Sequence, residues 1–218
     1  DNILLINPDN PSGNFIPIKD LLSLANWCES RSIRLIVDES FVDFSENWQD
    51  NTLLRDDILE TYSHLVVMKS ISKSYGIPGL RLGILCSADK ALIDEIKKRI
   101  SIWNINSFAE FFMQIFNKYE KDYQQACDKF LVERKHFEDQ LRQIKFLRVI
   151  PSQANYFLVE ILPPYTPKGI ALTMLRDYSI LMKDCSNKGG FNGKAYMRIA
   201  VRDREDNENL IAALQNLQ

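Results

Sequence analysis

A lysine set among small hydroxyl residues at the end of an apolar run is the arrangement in this chain that most plainly invites chemistry. It lies in SISKSYGIPGLRLG (70–83), where Lys73 follows Ser70 and Ser72 and precedes Arg81. Taken alone, Lys73 reads as an ordinary solvated surface lysine, because lysines are rarely buried. At the mouth of a buried strand and partly desolvated, the same amine becomes a nucleophile able to form an imine with an aldehyde. Ser70, Ser72 and the fork of Arg81 together offer a receptor for a phosphate dianion.

An aldehyde and a phosphate on one small molecule point to pyridoxal phosphate. That cofactor also needs a carboxylate at its ring nitrogen, which keeps the pyridinium protonated as an electron sink, and a donor at its phenolic oxygen. Asp38, closing IRLIVD, can supply the first, and Asn10, in the NPDNPSG turn, the second.

These residues need elements to position them. The runs at 2–7, 33–39, 64–70 and 82–86 are short, rich in branched residues and bounded by turn formers, as buried parallel strands are. Residues 18–32 have apolar side chains at helical spacing, and the strand, helix, strand order predicts an α/β layer with a mostly parallel sheet. Loops at the carboxyl ends of such strands gather where ligands sit, so NPDNPSG, DES and the lysine segment are expected at one crevice. From residue 107 to about 144 the chain reads as helix with a break near 119–122, and Phe108, Phe111, Phe112, Ile115 and Phe116 read as core packing. Strand-like 155–161 and 196–201, a helix at 168–178 and a closing helix from about Asp203 predict a smaller α+β domain. The expected boundary divides residues 1–125 from 126–218. LPPYTP and SNKGGFNGK are the clearest loops.

Composition narrows the function. The 218 residues carry 27 basic and 29 acidic side chains with no basic block, which disfavours a nucleic-acid partner. No apolar run approaches the roughly 20 residues of a membrane span, and the start lacks signal-peptide regions, so a cytoplasmic setting is the default expectation. The four cysteines are scattered without paired spacing and read as free buried thiols rather than a disulfide framework or a zinc site. GIPGLRLG lacks the glycine spacing of a dinucleotide or P-loop motif. DREDNEN (203–209) lacks the glycine of a calcium loop, and Asp203 as a helix cap explains it more simply.

NPDNPSG, VDESF, SISKSYGIPGLRLG and YMRIAVR, in this order and spacing, resemble the fold-type I pyridoxal-phosphate enzymes, specifically the histidinol-phosphate aminotransferase and threonine-phosphate decarboxylase branch. The resemblance implies an aspartate-aminotransferase-like fold, here a partial large domain plus the small C-terminal domain. It implies that Lys73 is the Schiff-base lysine, Asp38 the partner of the pyridine nitrogen, Asn10 the partner of the ring oxygen, and Ser70, Ser72 and Arg81 part of the phosphate cup. It makes Arg198 the clamp on the substrate carboxylate, with Asn155 near the substrate; the plain alternative for Arg198 is a strand-end surface arginine, with Arg202 as its neighbour in register. A homodimer and small amine and 2-oxo-acid substrates follow from the resemblance alone.

Two departures bear on the reaction. Phe41 stands where most aminotransferases of this type have tyrosine; a phenylalanine there resembles the decarboxylase branch, as does the IWNINSFAE stretch. The NPDNPSG turn begins at residue 7, whereas in the family it lies well inside the chain, which implies a C-terminal portion of a longer polypeptide. The leading expectation is an aminotransferase acting on an amino acid or a phosphorylated amine, with a phospho-amino-acid decarboxylase as runner-up. The sensory half of a regulator, the rear module of a nucleotidyltransferase fusion and a non-binding relic are the readings of another class.

Overall fold

The computed structural model describes residues 1–191 and 194–217, so residues 192 and 193 of the glycine-rich loop lie outside the described residues. The chain divides into two compact units, Asp1–Asp9 with Phe15–Cys127, and Asn10–Asn14 with the chain from Asp128 onward.

In the first unit, β1 (Asn2–Ile6), α1 (Ile18–Glu29) and β2 (Arg34–Asp38) form a strand, helix, strand unit. A 3₁₀ turn (Val42–Phe44) and the short helices α2 (Trp48–Asn51) and α3 (Asp56–Thr61) lead to β3 (Leu65–Lys69), α4 (Ile71–Ser74) and β4 (Ile84–Cys86). The sheet order is β1-β2-β3-β4, with β1, β2 and β3 parallel and β4 antiparallel to β3. Alternation explains its burial. Leu35, Val37, Leu65 and Val67 point to the face covered by Leu21, Ala25 and Cys28 of α1 and by Leu53 and Ile58. The strands were expected to be buried on both faces. Instead Leu4 is 61% exposed and Ile6 38%, and their neighbours Ile36, Asp38 and Met68 are half-buried, with Val66 alone buried on that phase of the pleat among these strand residues.

Beyond the sheet come α5 (Lys90–Arg99), α6 (Ser107–Ile115) and, after a 3₁₀ turn, α7 (Glu120–Leu141). The break expected near 119–122 lies a turn earlier, in the 3₁₀ segment Phe116–Tyr119, and α7 already begins at Glu120. The aromatic face of α6 corrects the sequence reading: Phe108 is 78% exposed and Phe111 59%, while Phe112 and Phe116 close on Tyr75 at 6.3 and 4.6 Å between ring centroids. Helical spacing shows which residues share a face, but only tertiary partners decide how much of it is covered.

The second unit holds β5 (Leu147–Val149), β6 (Tyr156–Ile161), α8 (Pro167–Tyr178), β7 (Lys183–Asp184), β8 (Tyr196–Ala200) and α9 (Arg204–Gln215). Its strands pair antiparallel in the order β5-β6-β8-β7. Phe137 and Leu141 of α7, Phe157, Met174, Met197, Ile199 and Leu214 fill its core, each fully buried or nearly so. Asp203 caps α9 by accepting from the Asp206 N–H at 2.9 Å, as the sequence implied. All four cysteines are free thiols; Cys28, Cys127 and Cys185 are buried, whereas Cys86 on the edge strand is half-buried. Among the described residues no cluster of potential metal ligands occurs and no helix is long and apolar enough to cross a membrane.

Within this unit, the Asn10–Asn14 part of the turn is held by a close approach. Gly13 adopts φ +72°, its carbonyl accepts from the Gln153 N–H at 2.9 Å, and a Cβ there would stand 2.0 Å from Ser152 Oγ and 3.1 Å from Ser152 Cα. Since the Ser152 backbone cannot move aside, Gly13→Ala combines left-handed strain with overpacking and is expected to destabilise the protein by about 2 kcal/mol or more. Urea unfolding checks this; an unchanged midpoint would show that the turn is not clamped here.

Candidate active site

Asp38 ends β2 and Lys69 ends β3, one strand over in a parallel pair, so the segments that follow emerge at the same edge of the sheet. Asp38 Oδ1 accepts from the Ser40 N–H at 2.9 Å and from the Ser40 hydroxyl, while Oδ2 has no hydrogen-bond partner among the described residues. The Ser40 Oγ in turn accepts from the Ser70 N–H at 2.9 Å. One hydroxyl therefore joins the carboxylate to the residue that opens α4, the helix bearing Lys73.

Asp38, Ser40, Ser70, Arg81 and Gly83 line a depression of about 330 Å³. Arg81 sits at φ +56° with an exposed side chain whose Nη1 reaches only the Pro78 carbonyl, at 3.3 Å, and no carboxylate neutralises it among the described residues. Gly83 passes close to β3, with a Cβ position 3.3 Å from the Lys69 carbonyl oxygen. Lys73 was expected to be partly desolvated at the strand mouth. It is exposed instead, because the turn of α4 lifts it off the strand end, and its Nζ stands 4.3 Å from the centroid of the Phe41 ring. That ring face attracts the ammonium in the absence of an acid partner.

Ser72 also departs from the reading of an open phosphate ligand. It is buried, its Oγ donates to the Leu82 carbonyl at 3.1 Å and accepts from the Leu82 N–H at 2.8 Å, so its proton is committed to bracing α4 against the Arg81 segment. Ser70 is half-buried and borders the depression.

The second unit brings together two residues 188 positions apart. Arg198 Nη1 donates to Asn10 Oδ1 at 2.9 Å, which leaves the Asn10 amide hydrogens as donors. The Arg198 guanidinium lies 5.1 Å from the Tyr156 ring centroid, and it borders a cavity of about 720 Å³ with Tyr178, Met182, Arg202 and Asn209. Arg202 pairs with Asp206 through its Nε, so of the two arginines in RIAVR it is the one neutralised by an acid. Asn155 flanks this strand end, its carbonyl accepting from the Val201 N–H at 2.9 Å.

Three functional candidates escaped the sequence reading. Lys183 of β7 lies directly opposite Arg198 of β8, so two cations share one face of the sheet, an arrangement that destabilises the pair unless an anion lies between. Lys69 and Asp43 form a buried ion pair at 2.5 Å. A signal existed for both: Lys69 falls on the buried phase of β3 with Leu65 and Val67, and Asp43 interrupts an apolar stretch, FVDF. Glu39, fully buried, accepts from Thr52 Oγ1 at 2.6 Å and the Leu53 N–H at 2.7 Å, and burial pushes its carboxyl above the usual range despite these bonds.

In the first unit, an acid with a free oxygen, an unpaired guanidinium and a serine at the mouth of a helix surround one depression, and an unpaired amine lies three residues beyond that serine, against the Phe41 ring. Such a set fits a small anionic phosphorylated ring. The protein-family comparison agrees. Residues 1–214 match the family described as aminotransferase class I and II, whose cofactor is pyridoxal 5′-phosphate. The CMP-5'-(3-aminopropyl)phosphonate synthase of Streptomyces rubellomurinus is 31% identical over 217 residues, covering 100% of this chain and 34% of that protein. The threonine-phosphate decarboxylase of Salmonella typhimurium is 33% identical over 220 residues, covering 100% of this chain and 57% of that protein. The solved structure of a decarboxylase from Sulfurospirillum multivorans superposes with a TM-score of 0.89 at 30% identity, over 99% of this chain and 61% of that one. The chain thus spans between about a third and somewhat over half the length of these relatives. With the family match running through nearly every described residue and the fold shared with a solved relative, this chain belongs to the class I and II aminotransferase family of pyridoxal-phosphate enzymes.

Proposed function

We propose that this chain is part of a pyridoxal-phosphate enzyme that decarboxylates an amino acid carrying a phosphate or phosphonate group. The observation that carries the reading is the pair of unneutralised cations, Arg198 and Lys183, placed across from each other on the second unit's sheet. A substrate with one carboxylate supplies one anion; a phosphorylated amino acid supplies two. Relatives at comparable identity, a threonine-phosphate decarboxylase and a phosphonate synthase among them, support the same substrate chemistry. Phe41 supports the reaction type, since it offers Lys73 a ring face and no hydroxyl.

The cofactor supplies, when bound, an electron sink for the pair of electrons left at Cα when one of its bonds breaks. The residues of this chain have separable tasks. Asp38, held by Ser40, would accept from the ring N–H through its free Oδ2. Arg81 and Ser70 would bind the phosphate, with Ser72 shaping that cup from behind through Leu82. Asn10, gripped by Arg198 through its carbonyl oxygen, keeps its amide as the donor the motif assigns to the ring oxygen. Lys73 would hold the cofactor through its Nζ and, with that amine free, could supply the proton that replaces the departing carboxylate. Arg198 would receive the substrate carboxylate with its planar fork and so orient the substrate's Cα bonds. Asn155 lies beside that strand end.

An aminotransferase is the second reading, supported by the family description itself. The sequence ranked it first; the cation pair and the relatives' substrates shift the balance. The same groups would serve it, with Lys73 moving a proton from Cα instead of supplying one. A homodimer belongs to the family pattern and is proposed for the complete polypeptide, as is a cytoplasmic location.

In the complete polypeptide, borohydride in the presence of cofactor should mark Lys73, and Lys73→Ala should lose the adduct while keeping its circular dichroism; peptide mapping that places the adduct on another lysine would overturn the assignment. Phosphoserine or phosphothreonine should release carbon dioxide without any 2-oxo acid, whereas glutamate formed from 2-oxoglutarate with no carbon dioxide would establish the aminotransferase. Arg198→Leu should reduce kcat/KM for the phosphorylated substrate about a hundredfold, with Lys183→Leu raising KM more than it lowers kcat; equal kinetics in both variants would remove the anion-clamp reading.

A further inference from the structure

The strongest buried polar feature of the first unit lies behind the proposed catalytic groups and is not used by them. Asp43 is 1% exposed. Its Oδ1 accepts from Lys69 Nζ at 2.5 Å and its Oδ2 from the Tyr123 hydroxyl at 2.6 Å, so both oxygens are occupied. Burial and the adjacent Asp43 carboxylate push the Tyr123 phenol far above its usual range, which keeps it a donor. The Lys69 ammonium also lies 5.9 Å from the Trp48 ring centroid, and Trp48 is 6.1 Å from Tyr123 in an edge-on contact.

Two members of this cluster are close along the chain to site residues, and the third packs on α4. Asp43 follows Phe41 by two residues, on the 3₁₀ turn whose approach carries the ring under Lys73. Lys69 directly precedes Ser70, the residue that opens α4. Tyr123 packs edge-on against Tyr75 at 4.3 Å between centroids, and Tyr75 closes α4 two residues beyond Lys73. The carboxylate thus reaches the Phe41 wall through its own backbone, the start of α4 through Lys69 and the end of α4 through Tyr123. A helix of four residues has little internal stability, so α4 depends on such external anchors for its position.

We propose that Asp43, with Lys69 and Tyr123, is a positioning residue that fixes the amine of Lys73 over the Phe41 ring at the reach required to capture the cofactor. The proposal rests on Lys73 being the cofactor lysine. Removing one partner of a buried pair leaves the other charge stranded, so the end of α4 shifts and Lys73 loses its alignment, while Ser70, whose N–H is held by the Ser40 hydroxyl, keeps its place at the depression.

The test uses the complete polypeptide with pyridoxal 5′-phosphate and measures the first-order rate of adduct formation at saturating cofactor, separately from the cofactor's dissociation constant. Mapping the borohydride-reduced lysine in the unsubstituted protein comes first; an adduct away from Lys73 refutes the catalytic assignment and with it the basis of this proposal. With the adduct at Lys73, Asp43→Asn should slow capture about tenfold or more and change the dissociation constant much less, and Tyr123→Phe, which removes only one hydroxyl, should slow it in the same direction to a smaller extent. A purely structural role would lower the melting temperature of both variants and leave the capture rate of the folded protein unchanged, which overturns the proposal. If Asp43→Asn does not fold, Tyr123→Phe decides by the same rate: slowed capture supports positioning, and an unchanged rate refutes it.

Discussion

The hydroxyl of Ser40 accepts a hydrogen bond from the Ser70 backbone and donates one to the Asp38 carboxylate, and the arrangement of the first unit's site depends on that single bridge. Parallel pairing brings the ends of β2 and β3 to the same edge, but pairing alone does not set the orientation of side chains beyond the strand ends. Ser40 does so in both directions. It occupies one carboxylate oxygen and leaves the other for a ligand, and it satisfies the N–H at the mouth of α4, a donor with no partner inside that helix. A hydrogen bond to a charged acceptor contributes about 1.5–3 kcal/mol, enough to hold one side-chain orientation over its rivals.

Electrostatic pairing sorts the charged residues into two groups. Lys69 and Asp43 neutralise each other in the interior, and Arg202 is matched by Asp206 at the surface. Arg81, Lys73, Arg198 and Lys183 have no ion-pair partner among the described residues, and they are the cations whose positions suit anionic ligands. A structural ion pair and a ligand-binding cation differ less in residue type than in whether an acid is already present.

Much of the fold was legible because its signals are periodic. The apolar run in RLIVD marks β2, and a 3₁₀ turn interrupts the helical stretch of 107–144 before α7. The motifs gave the order of site residues, and the structure places Asp38, Ser70 and Arg81 around one depression and Asn10 beside Arg198. What sequence could not show depends on geometry across the chain. The commitment of Ser72 to Leu82 needs the return of the chain ten residues later, the exposure of Phe108 and Phe111 needs knowledge of what does or does not cover α6, and the opposition of Lys183 and Arg198 needs the register of two strands separated by a loop. Asp43 was visible as an acid in an apolar run, but its two partners lie 26 and 80 residues away.

The central claim is that Asp38, fixed by Ser40, meets the ring nitrogen of a bound pyridoxal phosphate and keeps it protonated. The most direct measurement is the nitrogen chemical shift of ring-¹⁵N-labelled cofactor bound to the complete polypeptide. The account predicts a protonated pyridinium signal at neutral pH that moves toward neutral pyridine in Asp38→Asn. A neutral ring in the unsubstituted protein, or a pyridinium signal indifferent to Asp38, would contradict it.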